Sequence, residues 1–182
     1  MPMSLTIRSE SWPIAGRFAI SRGAKTRADV IVVELRDGPY CGRGECVPYP
    51  RYGESIESVT AALEAMRDLL KAGLDRRALL GTMPAGAARN ALDCALWDLE
   101  AKQSGRPVHE LAGLQPPRPL TTAYTISLDS PDAMARAAGA AAWRPLLKVK
   151  VGADGTDERL FAVRQAAQEP SSSSMPMKPG SR

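Results

Sequence analysis

The sequence predicts an α+β unit, a small antiparallel meander with helices, followed by the opening of a parallel βα series. Three observations lead there. Over residues 4–50, β-branched and apolar runs alternate with turn residues. From Ser55 the apolar spacing lengthens to three and four residues, the signature of a buried helix face. After Pro116-Pro117-Arg118-Pro119, strand-like and helix-like segments alternate with connections of a few residues, as in parallel strands joined by crossover helices.

Composition narrows the function classes. The chain's 182 residues are 44% hydrophobic and 24% charged, which is ordinary for one or two folded domains and unlike a disordered protein. Net charge is +4, but the arginines are scattered and aromatics make up only 5%, so neither a basic stripe nor a stacking platform for nucleic acid is visible. Cys41, Cys46 and Cys94 follow no ligand spacing and accompany a lone histidine, His109, which argues against a zinc site or a disulfide framework. Residues 1–8 lack an apolar targeting core, and no run approaches the ~18 apolar residues of a membrane span. A soluble protein of the reduced cytoplasm, with neither nucleic-acid nor membrane partner, is expected.

The elements follow in order. Leu5-Thr6-Ile7, Phe18-Ala19-Ile20 and Val30 to Leu35 read as strands, and Asp37-Gly38 as the hairpin turn before a fourth strand at Cys41 to Cys46. Ser21 to Arg27 reads as a basic connection and Pro48 to Gly53 as a loop; such segments carry function more often than packing, though each is equally compatible with a solvated turn. Ile56, Val59, Leu63, Met66 and Leu70 share one face of a helix capped by Ser55 and stopped by Gly73. A second helix, Pro84 to Gln103, aligns Ala88, Leu92, Ala95, Leu96 and Leu99, and its alanines suggest close packing; Gly105 and Pro107 close it. Beyond the proline hinge come a strand from Leu120 to Leu128, a helix from Ser130 and Pro131 to Ala142, a strand from Leu146 to Val151, and a helix from Asp157 to Ala167. Residues 168–182, rich in serine and proline, lack periodicity and read as a disordered tail.

The chemistry concentrates in Leu146-Leu147-Lys148-Val149-Lys150-Val151. In a strand, Lys148 and Lys150 share a face with Cα atoms about 6.6 Å apart, and Leu147, Val149 and Val151 take the other. Two ammonium groups so close favour each other's deprotonation, and desolvation adds to it, which is what a lysine general base needs. The same hexapeptide is also compatible with a strand whose lysines face water and discourage mispairing.

Several segments together resemble the enolase superfamily, which includes mandelate racemase and muconate lactonizing enzyme, and within it the dipeptide epimerases of the L-Ala-D/L-Glu type. They are Phe18 to Gly23, Gly42 to Pro48, Arg51 to Ser55, Ala88 to Leu99, Thr122 to Ile126, and Leu147 to Lys150. The resemblance implies an N-terminal capping domain over residues 1–115 and the first two βα units of an incomplete (β/α)8 TIM-type barrel over residues 116–167. It implies an isomerase, a racemase or epimerase working by lysine-mediated α-proton abstraction. Lys150 matches the base for one face of the substrate, Lys148 the neighbour that contacts the substrate carboxylate, and Thr125 a substrate-contacting threonine. Arg22 matches an arginine that pairs with a substrate glutamate, while Arg51 and Tyr52 fall in the second lid loop. An arginine fork suits an acidic dipeptide substrate. The family's cofactor is Mg²⁺, held by carboxylates of the third to fifth barrel strands, so no metal ligands are expected in this chain, and self-association stays open.

A complete (β/α)8 barrel takes about 200–250 residues, more than follow the hinge, so a truncated and inactive chain is expected. One permitted coding of residues 168–182, read from its third base, gives GALQLVDANEAWKP, which resembles the family's third barrel strand with its first metal-binding aspartate; a frameshifted tail is therefore expected, against a natural low-complexity one. The alternatives for function are another lysine-type member (N-acylamino acid racemase, o-succinylbenzoate synthase, muconate cycloisomerase) or a noncatalytic binding or oligomerisation fragment.

Overall fold

The computed structural model describes residues 2–20 and 23–168. It divides into two compact units, Met1–Pro13 with Arg27–Arg118, and Ile14–Thr26 with Pro119–Arg182. The stretch Ile14–Thr26 groups with the second unit. The expected tail, apart from Gln168, lies outside the described residues.

Three antiparallel-sheet strands are ordered β1 (Ser4–Ile20), β2 (Gly23–Asp37) and β3 (Tyr40–Cys46), the first unit holding β3, β1 up to Pro13 and β2 from Arg27. Two expected strands at residues 5–7 and 18–20 are one continuous β1, and Gly23 to Arg27, expected as a loop, belong to β2. A neighbouring strand supplies the ladder whatever the local turn signals say. Pro13, which has no N–H to give, is tolerated because β1 is the edge of the sheet. Arg27 also ties β2 to β1, its Nε and Nη2 donating to the Oγ and carbonyl of Ser11 at 2.9 Å each. β2 and β3 pair antiparallel across the Asp37↔Tyr40 turn, as expected from Asp37-Gly38.

Helices cover one face of this sheet. The single helix expected from Ser55 to Gly73 is two, α1 (Ile56–Glu64) and α2 (Arg67–Lys71), and the step pattern of Val59, Leu63, Met66 and Leu70 continues across the break, so periodicity could not reveal it. Ser55 caps α1 as expected: its Oγ accepts from Ser58 N at 3.1 Å, and Ser58 Oγ accepts from Ser55 N at 2.9 Å. Two further helices were not anticipated, α3 (Arg76–Thr82), capped by Asp75, and the short α5 (Val108–Leu111). Between them α4 (Ala87–Ser104) buries Ala88, Ala91, Leu92, Ala95, Leu96 and Leu99. Each buried leucine contributes about 1.5–3 kcal/mol relative to exposure. The core joins these side chains to Ile31, Val33 and Leu35 of β2.

α4 lies very close to β3. Gly42 and Gly44 face it, and a Cβ at Gly42 would collide with the Ala95 carbonyl, one at Gly44 with the Ala91 carbonyl. Asp98 locks the contact from the helix side, accepting from Arg43 N at 2.8 Å and from Lys102 Nζ at 2.7 Å.

In the second unit, β4 (Tyr124–Ile126) and β5 (Leu147–Val149) form a parallel pair with Thr125 opposite Lys148 and Ile126 opposite Val149. Both strands are shorter than the sequence suggested, since a strand extends only as far as its ladder partner; Leu120, expected in β4, is 88% exposed. α6 (Pro131–Ala140), with Ser130 Oγ accepting from Ala133 N at 3.3 Å, and α7 (Thr156–Gln168) cover one face. Ile126, Met134, Ala138, Ala141 and Val163 form that unit's core. Among the described residues no helix is long and apolar enough to cross a membrane.

Candidate active site

The candidate site lies on the β4–β5 face opposite α6 and α7. Alternation places Thr125, Lys148 and Lys150 together there, while Ile126, Leu147 and Val149 pack into the helix-covered core. Lys150 stands one residue past β5, yet its backbone N–H still donates to Ile126 O at 3.0 Å, which continues the parallel ladder and fixes the lysine beside the end of β4. Lys148 is exposed, whereas Thr125 and Lys150 are half-buried. Side chains at the carboxyl ends of parallel strands are where βα folds assemble their chemistry.

The end of β1 closes one side of this site. Ala19 O accepts from Leu128 N at 3.1 Å, just beyond β4, and Ala19 is buried. That anchor carries Phe18, whose ring centroid lies 5.9 Å from Lys150 Nζ. An aromatic face at this range attracts an ammonium and at the same time keeps water from one side of it. Reading Phe18-Ala19-Ile20 only as a strand of the meander missed its position at the lysine; the available signal was a strongly apolar triplet ending at a basic connection.

The other expected site residues are Arg22, Arg51 and Tyr52. Arg22 lies outside the described residues. Arg51 and Tyr52 belong to the first unit, in a 3-10 turn at Pro50–Tyr52, both exposed, with the Tyr52 ring 5.7 Å from that of Tyr49. Glu54 organises this loop: its Oε2 accepts from Tyr49 N at 3.0 Å and its Oε1 from Ala87 N at 2.6 Å. The second bond caps α4, whose own N-cap, Gly86, has no side chain to do so. Sequence reading overlooked Glu54, because its partner is 33 residues away.

Neither buried thiol nor clustered carboxylates offer a competing centre. Burial, and then the nearby Glu54 and Glu45 carboxylates, push the Cys46 thiol up to about 11, so it is protonated and unreactive near neutrality. Burial likewise raises Cys94, and all three cysteines are free. Among the described residues no three His, Cys, Asp or Glu side chains gather to hold a metal ion, so the residues present do not fit the Mg²⁺ expected of the resemblance.

Residues 2–113 match the family model for the mandelate racemase / muconate lactonizing enzyme N-terminal domain. The chain belongs to this family. Residues 2–113 are thus the capping domain of the enolase superfamily, as the sequence motifs implied. Within the mandelate racemase / muconate lactonizing enzyme family, the chain is 43% identical over 168 residues to the L-Ala-D/L-Glu epimerase of Escherichia coli K12, covering 91% of this chain and 52% of that protein. It superimposes with a TM-score of 0.87 and 56% identity on an enolase family member from Agrobacterium tumefaciens with homology to dipeptide epimerases, whose crystal structure has bound sodium and L-Ala-L-Glu with an ordered loop. That match covers 91% of this chain and 51% of the other. A dipeptide epimerase from Methylococcus capsulatus, complexed with Mg and L-Arg-D-Lys, is 32% identical with a TM-score of 0.76 over 91% of this chain and 51% of its own. The chain therefore spans about half the length of the relatives it matches.

Proposed function

We propose that this chain contributes the capping domain and the first two barrel strands of a dipeptide epimerase acting on an acidic dipeptide of the Ala-Glu type. The observation that supports it best is the shared face of Thr125, Lys148 and Lys150 beside Phe18. In this reading Lys150 takes the α-proton from one face of the substrate. The Cα–H electron pair moves into the adjacent carboxylate to give an enediolate, and reprotonation from the opposite face yields the epimer. Lys148 answers the growing carboxylate charge with its ammonium, a contact left open because neither lysine forms an ion pair among the described residues. Thr125 donates a hydroxyl to the substrate, and the Phe18 ring shields Lys150 from water on one side.

An acidic substrate is favoured by the two relatives with the highest identities quoted, one named for L-Ala-D/L-Glu and the other holding L-Ala-L-Glu. We further assign Arg22 to the glutamate side chain of the substrate. Magnesium, when bound in this family, would supply charge stabilisation to the enediolate; the described residues do not assemble the carboxylates to hold it. In this reading the 182-residue chain by itself does not turn substrate over.

The substrate assignment is tested in a hybrid joining residues 1–168 to the second half of the Escherichia coli relative. Arg22→Ala should weaken L-Ala-L-Glu by about ten- to a hundred-fold, the worth of a charged hydrogen-bonded pair, and leave L-Ala-L-Ala nearly unchanged. Equal losses for the two dipeptides would show that Arg22 is structural and remove the acidic-substrate assignment.

A further inference from the structure

The first unit holds a cavity of about 400 Å³ that the epimerase reading does not use. It opens where the turn between α2 and α3 meets the C-terminal half of α4, and its lining includes Met3, Leu74, Arg76, Arg77, Leu96 and Glu100. Leu96 belongs to the buried core, and Met3 and Leu74 are partly buried against that core, so the floor is apolar. The walls carry charge. An apolar floor with a few convergent polar groups is the make-up of a small-molecule site.

The Arg76 guanidinium is held from two directions. Its Cζ lies 3.7 Å from the centre of the Trp97 ring, and its Nε donates to Glu100 Oε2 at 2.7 Å. Only 18% of the Arg76 side chain is exposed. Neither of its terminal nitrogens bonds another described residue, and Glu100 Oε1 receives no donor among them. A stacked guanidinium with free terminal N–H groups is a preorganised fork for a carboxylate. The free oxygen of Glu100 beside it accepts from an ammonium. Arg77 adds a second cation, whose side chain bonds no described residue, and Asp75 a second carboxylate, whose Oδ1 is taken by the N–H groups of Arg77 and Ala78 at 2.9 and 2.8 Å. Two cations and two anions leave the lining without net charge, so a ligand of one sign would enter uncompensated, whereas one carrying both signs is matched. We propose that this cavity binds a free α-amino acid with an aliphatic side chain. Its carboxylate meets Arg76, its ammonium meets Glu100, and its side chain lies against Leu74 and Leu96.

Solution NMR of the full 182-residue chain titrated with L-leucine tests this. The indole N–H signal of Trp97 should move saturably, and that of Trp143, exposed in the other unit, should stay in place. Isocaproate lacks the ammonium and isoamylamine lacks the carboxylate. Each should bind at least about ten-fold more weakly than L-leucine, the worth of one charged hydrogen bond. Arg76→Lys keeps the charge but loses the fork, and should weaken L-leucine by a similar factor. Arg77→Gln removes a side chain that bonds no described residue, so the fold is kept, and should weaken L-leucine by about two- to three-fold, as for a solvent-screened charge. If circular dichroism shows Arg76→Lys unfolded, Arg77→Gln decides alone. The proposal is overturned if the Trp97 signal does not move, if Trp97 and Trp143 move alike, or if the folded variants bind L-leucine as the parent does. Isocaproate or isoamylamine binding as tightly as L-leucine also overturns it, since the cavity then reads a single charge and not an amino acid.

Discussion

Glu34 sits on β2 directly across from Arg43 on β3, its side chain only 13% exposed, with Arg8 at 2.9 Å, Arg43 at 3.2 Å and Arg36 at 3.7 Å. The hydrogen bond from Arg8 first, and the charges of the three arginines with it, hold its carboxyl below the usual glutamate range. A carboxyl whose folded value is depressed stabilises the fold fully above its unfolded value of about 4.3, and that contribution is lost as pH falls through the folded value. Glu34→Gln should therefore cost something under about 1 kcal/mol at pH 7, because its partners are solvent-exposed. In urea titrations the gap between parent and variant should close between about pH 5 and pH 3; a gap independent of pH would contradict the ion-pair account. At this scale the sequence was legible where a period governs placement. The common face of Lys148 and Lys150 follows from two-residue alternation, and Thr125 joins them through the strand pairing. Phe18 and Glu54 were not legible, since each reaches its partner across more than 30 residues and no local pattern encodes the meeting.

The pairing of β3 with α4 is the tightest element contact. Gly42 and Gly44 share the helix-facing side, and Ala91 and Ala95 answer from α4, so backbone meets backbone with no room for a methyl group. Gly44→Ala should destabilise by at least the upper end of the about 1–3 kcal/mol range for overpacking, because a carbonyl of a long helix, and not a mobile side chain, blocks the new Cβ. Gly81→Ala, whose new methyl group would have no neighbour within 4 Å, serves as the control and should be neutral or slightly stabilising in chemical denaturation. If the two substitutions cost the same, the close approach is not what holds the sheet to the helix. The alanines of α4 announced close packing, and Ser55, Ser130 and Gly105 marked helix ends where the structure has them. The break between α1 and α2 was hidden because both helices use one apolar register, and the full length of β1 was hidden because only its neighbour defines it.

At the scale of the molecule, a family capping domain is present together with two strands of the parallel series, and the chain spans about half of the relatives it matches. The proposed division of labour is asymmetric: Lys150 serves one face of the planar intermediate, and the opposite face and the charge on the enediolate are served by residues outside those described. Proton exchange reads that asymmetry without requiring full turnover. The measurement is NMR of α-deuterium incorporation from D2O into L-Ala-L-Glu and L-Ala-D-Glu, with Mg²⁺, by the hybrid of residues 1–168 with the Escherichia coli second half. The hybrid should exchange both epimers, its Lys150→Ala form should lose exchange into one epimer and retain it in the other, and the 182-residue chain alone should exchange neither. Undiminished exchange of both epimers in Lys150→Ala would contradict the assignment of Lys150 as the base.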